Sequence, residues 1–543
     1  MATTGSVDRP SKRRSLSRQN LARDFDARSD LARRGVGTLY DVLARESASE
    51  ALDALERWKG LVSGACGHDV LGPSPAAEQL AAYYQLPAAG FRPAEALFAL
   101  HTYYALVVRL LVWRILSSSA KHSGPPDALS RPQSPARLEQ EIRRLEGGSV
   151  FRPLNVVDPF QYDPFSWYAA AWNGPIADTV GELIGRVGRY DPAALCHNPA
   201  QDGDLLKQLY ENLFPRRLRH ALGEYYTPDW LAGHLLDELG YRGDPGIRLL
   251  DPACGSGTFL VDAIRRIRAR HEASRGQEGQ VEPGELCAEI LRGVTGFDLN
   301  PLAVLSARAN YLIAIRDLLG GAGRVETPVL LCDSILSESP QSGVSASCPF
   351  DYVVGNPPWI AWDDLPTDYR EKTKPLWKRY GLFSLSGSDA RHGGAKKDLS
   401  MLMLYAAADR YLKPRGRLGM VITQTLFQTK GAGDGFRRFR LGNDGDWLRV
   451  VRVNDLADLR PFPGAANWTA TLVLEKGDRT TYPIPYARWS TGGSPSGTDH
   501  DGEGGDGAGC GPSSCRRQCL AEPIDADRPT SPWFVRPVGL KAD

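Results

Sequence analysis

Gly246-Ile247-Arg248-Leu249-Leu250-Asp251-Pro252-Ala253-Cys254-Gly255-Ser256-Gly257 is the stretch that decides the fold. A short apolar run ends at an acid, two spaced glycines follow, and a helical pattern then continues through Arg270. That is a strand, a tight turn and a helix. The unit recurs downstream. Val294 to Asp298 reads as a second strand, and Asn300-Pro301 opens a helix running to Leu319. Pro328 to Cys332 reads as a third strand ending at Asp333, and Phe350 to Val354 as a fourth. A helix over Leu399–Leu412 stops at Lys413-Pro414-Arg415-Gly416, and Leu418 to Thr423 forms a fifth strand. Trp447 to Asn454 and Thr469 to Leu474 supply a sixth and a seventh. Alternation of this kind predicts an α/β fold with a doubly wound, parallel, seven-stranded sheet, its ligands at the carboxyl ends of the strands.

The N-terminal part has a different pattern. Residues 1–35 carry nine Arg and Lys against four Asp and read as a basic, disordered tail, although Ser11-Lys12-Arg13-Arg14 could touch phosphates. Residues 36–200 read as a mostly α-helical domain: Leu39, Val42 and Leu43, then Leu52, Leu55 and Trp58, recur at helical spacing. Within it, Ser117 to Ser134 reads as a linker. Tyr162, Phe165, Trp167, Tyr168 and Trp172 either stack bases or fill a helical core, and the core is the favoured reading. No strand pair there holds an Asp and a Glu-x-Lys in the manner of a nuclease. The run Ala96–Leu116 is interrupted by His101, Arg109 and Arg114, so it reads as a buried helix and no membrane is expected.

The global balance is uninformative about nucleic acid: 65 basic against 64 acidic residues give a formal charge of +1. Any DNA-binding charge must therefore be segregated locally. Nine scattered cysteines without a secretory signal predict a reducing, cytoplasmic setting. Cys510, Cys515 and Cys519 lack a second ligand group at zinc-site spacing, so no metal site is predicted.

The polar motifs fall at the predicted strand ends. Gly255 and Gly257 let a ligand approach the backbone beside a helix N-terminus. Asp251 before them would repel a phosphate but attract a cationic amino group. Asp298 stands where doubly wound folds place a carboxylate on ribose hydroxyls, and Asp333 is positioned for an adenine amine. Helix capping accounts equally well for each acid taken alone. Taken together, they suit an adenosine with a positively charged tail, which S-adenosylmethionine satisfies. Upstream, Tyr226 in Gly223-Glu224-Tyr225-Tyr226-Thr227-Pro228 can pack over a sulfonium, and Thr227 is expected to cap the helix beginning at Pro228. After the fourth strand, Gly355-Asn356-Pro357-Pro358-Trp359 offers carbonyl and amide acceptors, few donors and one flat aromatic face. A planar group bearing an NH₂ suits it.

Gly-Glu-Tyr-Tyr-Thr-Pro, Asp-Pro-Ala-Cys-Gly-Ser-Gly-Thr-Phe, Gly-Phe-Asp-Leu-Asn-Pro, Cys-Asp-Ser and Gly-Asn-Pro-Pro-Trp occur in that order. From Asp204 to Lys476 the chain resembles the gamma-type adenine-specific (N6) DNA methyltransferases of restriction–modification systems. Lys413–Leu418 with Val421-Ile422-Thr423, and Phe462-Pro463-Gly464 before Trp468, resemble the later motifs of that family. The resemblance implies a Rossmann-like SAM-dependent methyltransferase domain over 204–480. Its cofactor pocket would comprise Tyr226, Thr227, Asp251, Gly255, Gly257, Asp298 and Asp333. Its catalytic turn would comprise Asn356, Pro357, Pro358 and Trp359, acting on an adenine flipped out of double-stranded DNA. Enzymes that methylate an RNA adenine or a protein glutamine share the Asn-Pro-Pro-aromatic turn and remain the alternative, as does a non-catalytic SAM- or DNA-binding subunit. Asp364 to Lys397, rich in Arg and Lys, is expected to be either a mobile DNA-contacting lid or a solvated loop. Residues 481–543 read as a low-complexity tail, the start of a missing target-recognition domain. A specificity subunit or restriction nuclease is the expected partner.

Overall fold

The computed structural model describes residues 14–45, 49–65, 71–119, 129, 134–160, 164–191, 206–221, 226–274, 281–337, 349–383, 397–465, 467–491 and 514–538. The N-terminal region is helical, as its periodicity predicts. Its central element is the helix Pro93–Ser119. The span 93–118 is long and apolar enough to cross a membrane, yet its most apolar 18-residue stretch lies wholly inside the protein. Helices Asp30–Arg45, Gly174–Val187 and Pro301–Ala314 pack around it. The last of these belongs to the α/β region, and the Tyr104 hydroxyl lies 3.0 Å from Ser306 Oγ across the contact.

The basic-tail expectation needs correction at its described end. Residues Arg18–Phe25 form a helix whose N-terminal Asn20 N–H donates to Ser17 Oγ. Ahead of it, Arg14-Ser15 pairs in parallel with Tyr190-Asp191. The cause is local neutralisation: Arg14 donates to buried Asp24 at 2.6 Å, and the Tyr190 hydroxyl donates to the same carboxylate at 2.8 Å. Arg14 thus serves the fold, and Ser11 to Arg13 lie outside the described residues. The aromatic stretch is core, with Phe165, Trp167 and Tyr168 all buried. Tyr162, and most of the predicted linker before it, fall outside the described residues.

Ten strands form one mixed sheet. They are β1 (Leu249–Asp251), β2 (Val294–Asp298), β3 (Val329–Leu331), β4 (Phe350–Gly355) and β5 (Leu412–Thr423), then β6 (Leu448–Asp455), β7 (Thr469–Lys476), β8 (Ile484–Thr491), β9 (Ser514–Pro523) and β10 (Trp533–Pro537). The spatial order is β10-β9-β8-β6-β7-β5-β4-β1-β2-β3. Strands β1 to β5 are mutually parallel, whereas β7 lies antiparallel between β5 and β6. The expected all-parallel seven-stranded sheet is therefore corrected to a ten-stranded mixed one. The predicted tail supplies the difference: β8 pairs in parallel with β6, and β9 and β10 add an antiparallel meander. In β8, Ile484, Tyr486 and Ala487 are buried while Pro485 and Arg488 are exposed, so the strand shows no strict two-residue period and the adjoining Gly- and Ser-rich composition hides it further.

A second departure concerns Lys413–Gly416, expected as a turn before a strand starting at Leu418. The strand begins at Leu412 and carries those residues as an irregularity. Phe350 pairs with Leu412 and Tyr352 with Arg417, so the register slips between them. Arg415 takes φ +66°, the left-handed conformation that lets the ladder bulge.

One buried ion pair supports the helical region. Arg109 Nη1 lies 2.8 Å from Glu146 Oε2, and the Tyr168 hydroxyl donates to the other oxygen at 2.5 Å. Glu146→Ala removes this carboxylate from a buried guanidinium and is expected to destabilise the protein by about 3–5 kcal/mol. Glu139→Ala, which removes an exposed pair with Arg143, is expected to cost no more than about 1 kcal/mol. Urea unfolding of both variants checks the contrast.

Candidate functional site

The carboxyl ends of β1 to β4 come together because β1 sits between β2 and β4 and aligns Asp251 with Gly296. Asp251 is almost fully buried (1% exposed), and its Oδ1 accepts the Ala253 N–H at 3.1 Å. The chain then turns through Gly255 at φ +54° and Gly257 at φ +91°. From β2, Asp298 accepts the Gly255 N–H through Oδ2 at 2.9 Å and the Asn300 N–H through Oδ1 at 2.8 Å. One carboxylate thereby ties the glycine turn to the start of the helix Pro301–Ala314. From β3, Asp333 Oδ1 accepts the N–H groups of Ile335 and Leu336 at 2.8 and 2.9 Å.

β4 leads directly into Asn356-Pro357-Pro358-Trp359. The Trp359 ring meets Phe462 edge-on, with centroids 5.2 Å apart. Next to this turn, buried Asp398 accepts from the Ser400 N–H at 3.0 Å and from the Thr423 hydroxyl at 3.0 Å. It thereby caps the helix Leu399–Arg410 and anchors that helix to the end of β5.

A single cleft is lined by Tyr226, Thr227, Asp251, Gly255, Asp298 and Asp333 on one flank and Asn356, Pro357, Pro358 and Trp359 on the other. Gly257 is the exception. A Cβ there would lie 3.3 Å from the Cα and Cβ of Ala307, so this glycine permits close helix packing and does not face the cleft. Thr227 has a different local task from the expected one. The helix Asp229–Leu239 has Pro228 at its cap without a side-chain hydrogen bond, while the Thr227 carbonyl accepts from Lys207 Nζ at 2.6 Å. Tyr226 stands edge-on to Tyr210 at 5.0 Å.

Tyr369 and Met403 also line the cleft and were not anticipated. Tyr369 lies on the helix Thr367–Arg379, inside the stretch read as a lid or loop. Tyr369, Thr373 and Trp377 are all buried and recur every fourth residue, which marks one helix face. The lysines and arginines between them had obscured that signal. Residues 384–396 of the expected lid lie outside the described residues.

The acids are not electrostatically equivalent. Burial pushes the Asp251 carboxyl well above the ordinary 3.8, and the nearby Asp298 charge adds to the shift. Burial also raises Asp298, against the N–H bonds from Asn300 and Gly255 that favour its ionised form. Burial likewise pushes up the Cys254 thiol between them, leaving it protonated and inert as a nucleophile.

A family model for "N-6 DNA methylase" matches residues 201–444. Over this segment the chain resembles the N-6 DNA methylases. The chain is similar to the type II methyltransferase M.BanIII of Aneurinibacillus aneurinilyticus, at 28% identity over 274 residues, covering 49% of this chain and 41% of that protein. It is also similar to the adenine-specific methyltransferase PglX of Streptomyces coelicolor, at 30% identity over 230 residues, covering 33% of this chain and 18% of PglX. The chain thus spans less than half the length of either relative. In overall fold, 89% of it superposes on 43% of a chain in a DrdV–DNA complex, with a TM-score of 0.52 and 16% identity.

Burial of Asp251 has a consequence for stability. Its raised folded-state pKa means that the folded protein holds a proton the unfolded chain releases near pH 3.8. Stability is therefore lost as pH rises from that value towards the folded pKa. Asp251→Asn, which keeps the acceptor for Ala253, is expected to melt at a higher temperature than wild type at pH 8, with the difference shrinking towards pH 4. Melting curves across that range test it, and equal shifts at both ends would contradict the burial argument.

Proposed function

We propose that this chain transfers the methyl group of S-adenosylmethionine to N6 of an adenine flipped out of double-stranded DNA, in a restriction–modification or phage-defence setting. The observation that carries this reading is that the acidic ends of β1, β2 and β3 open into the same cleft as the Asn356–Trp359 turn. The residues fit the cofactor. Asp251 is a buried carboxylate whose ionisation a cationic amino group would favour. Asp298 has both oxygens on backbone donors, yet each keeps a lone pair for a ribose hydroxyl. Asp333 uses Oδ1 for its own turn and has Oδ2 for an adenine amine. Gly255, with φ +54° and open space where a Cβ would stand, admits a ligand against the backbone.

When bound, S-adenosylmethionine supplies an electrophilic methyl group on a sulfonium. The protein prepares the acceptor. Adenine N6 is a poor nucleophile because its lone pair is delocalised into the ring. The Asn356 amide oxygen and the Pro357 carbonyl accept its two hydrogens, draw the nitrogen towards tetrahedral geometry and localise that lone pair. Pro357 and Pro358 contribute no competing N–H. Trp359, braced edge-on by Phe462, offers the face on which the base stacks. Asp398 positions the cleft wall by holding Leu399–Arg410 to β5. The exposed Lys372 and Lys378 on the helix beside the cleft suit the DNA backbone.

The methylase domain on this reading extends from 204 through β10, because β8 to β10 continue its sheet, and the helical residues before it form a separate region packed on its face. A specificity subunit or restriction nuclease is the proposed class of protein partner.

A tritiated-methyl assay with DNA, ribosomal RNA and release factor in competition is expected to label DNA adenine. Labelling of only the other two would overturn the substrate assignment. Asn356→Ala should lower transfer by at least about 10²-fold with cofactor affinity by calorimetry unchanged. Asp298→Ala should weaken that affinity itself.

A further inference from the structure

A second basin opens on the same carboxyl edge of the sheet, at the ends of β5, β6 and β8 and the start of antiparallel β7. Its wall is formed by Gln424, Asp455, Arg460, Trp468, Arg488 and Trp489. Its volume of about 480 Å³ falls in the range of small-molecule sites. We propose that it binds a second unpaired nucleobase of the DNA together with its adjoining phosphate. This inference rests on the DNA-methylation reading for the identity of the polymer.

Three observations support it. The first is two tryptophans at one opening. Trp468 is 51% exposed, a large apolar ring left facing outwards. Trp489 is held in place: its Nε1 donates to Asn454 Oδ1 at 3.1 Å, the Arg516 guanidinium lies 5.3 Å from its centroid, and His234 meets it edge-on at 4.9 Å. Rings preorganised in this way are what stacking on a base requires.

The second is an acceptor with no hydrogen-bond partner among the described residues. Gln424 is 2% exposed, and its Nε2 donates to Asp455 Oδ2 at 3.2 Å. Tyr486 donates to that same oxygen at 2.8 Å, and the Ala457 N–H occupies Oδ1 at 3.1 Å. Asp455 thereby fixes the direction of the Gln424 amide, whose Oε1 receives no hydrogen bond. A buried acceptor of this kind calls for a donor from a ligand, such as a ring N–H or an exocyclic amine. Exposed Arg460 and Arg488 at the basin suit a phosphate. Arg460 adopts φ +46°, a strained backbone for an arginine and one common at ligand sites.

The third is connectivity. The loop between β6 and β7 supplies Arg460 and Trp468 to the basin and Phe462 to the Trp359 face of the cleft. One loop therefore serves both cavities. A strand whose adenine reaches Trp359 passes this loop, and the basin receives another base that has lost its pairing partner.

The test uses the full chain and tryptophan fluorescence with three probes: a short oligo-dT, its N3-methylthymine counterpart and an abasic strand of equal length. Thymine is not the methyl acceptor, so the probes report the basin. Wild type is expected to bind oligo-dT more tightly than the abasic strand, and Trp468→Ala to lose about 5- to 150-fold of that affinity. Gln424→Leu should abolish the preference for oligo-dT over its N3-methylated form while leaving abasic-strand affinity unchanged. Calorimetric binding of S-adenosylmethionine by both variants, equal to wild type, shows that they are folded. Equal binding of oligo-dT and abasic strand by wild type overturns the proposal. So does a base preference that survives Trp468→Ala and disappears in Trp359→Ala. Base preference intact in a wild-type protein that neither binds S-adenosylmethionine nor methylates DNA upholds the basin and overturns the methylation reading instead.

Discussion

The site depends on the contact between Asp251, at the end of β1, and Gly355, at the end of β4. A Cβ on Gly355 would lie 2.7 Å from Asp251 Oδ1, closer than real atoms approach. Only glycine lets the two strand ends come this near. The pairing of Leu249 with Tyr352 and Leu250 with Val353 sets the approach one step earlier. Because of it, the acidic flank and the Asn-Pro-Pro-Trp turn share one cleft. A wider spacing between β1 and β4 would leave two good half-sites with no common space.

That closeness has a cost, which falls on Asp251. Its carboxyl is buried, takes one backbone N–H, and feels the Asp298 charge across the glycine turn. A protein selected only for stability would place an amide or an apolar side chain there. An acid kept in such a position fits the proposed role of meeting a cationic group from outside. Asp298 differs from it in kind. Its two backbone bonds make it a structural clasp between β1 and β2 as well as part of the cleft wall, so substitution there disturbs the turn together with the cleft surface.

Much of this was legible in the sequence because strand ends are marked by chemistry as well as by periodicity. Asp251, Asp298, Asp333 and Asn356 each follow an apolar run, and each lies at a strand end that opens into the cleft. What escaped had its signal diluted. Tyr369 was masked by interleaved lysines and arginines. Strands β8 to β10 were masked by Gly- and Ser-rich neighbours and by burial patterns without a strict two-residue period. The role of Gly257 could not be read at all, since a glycine needed for helix packing against Ala307 and one needed for ligand approach look identical in sequence.

The added strands also change how the core of the sheet is supported. With β6 as an edge, Asp455 and Gln424 would face solvent and their mutual bond would compete with water. Pairing β8 onto β6 sets Arg488 opposite Asp455 and brings Tyr486 onto its carboxylate. Behind them, Glu238 holds Arg452 at 3.0 Å and Arg516 at 2.9 Å, tying the helix Asp229–Leu239 to β6 and β9. That helix begins immediately after Tyr226 and Thr227 of the cleft. The C-terminal strands are therefore coupled to the cleft twice, through this helix and through the loop that carries Phe462. Burying a polar network of this size at a sheet edge is expensive unless the geometry it fixes is used. The geometry it fixes is the orientation of Trp489 and Gln424 in the basin that shares the Phe462-bearing loop with the cleft.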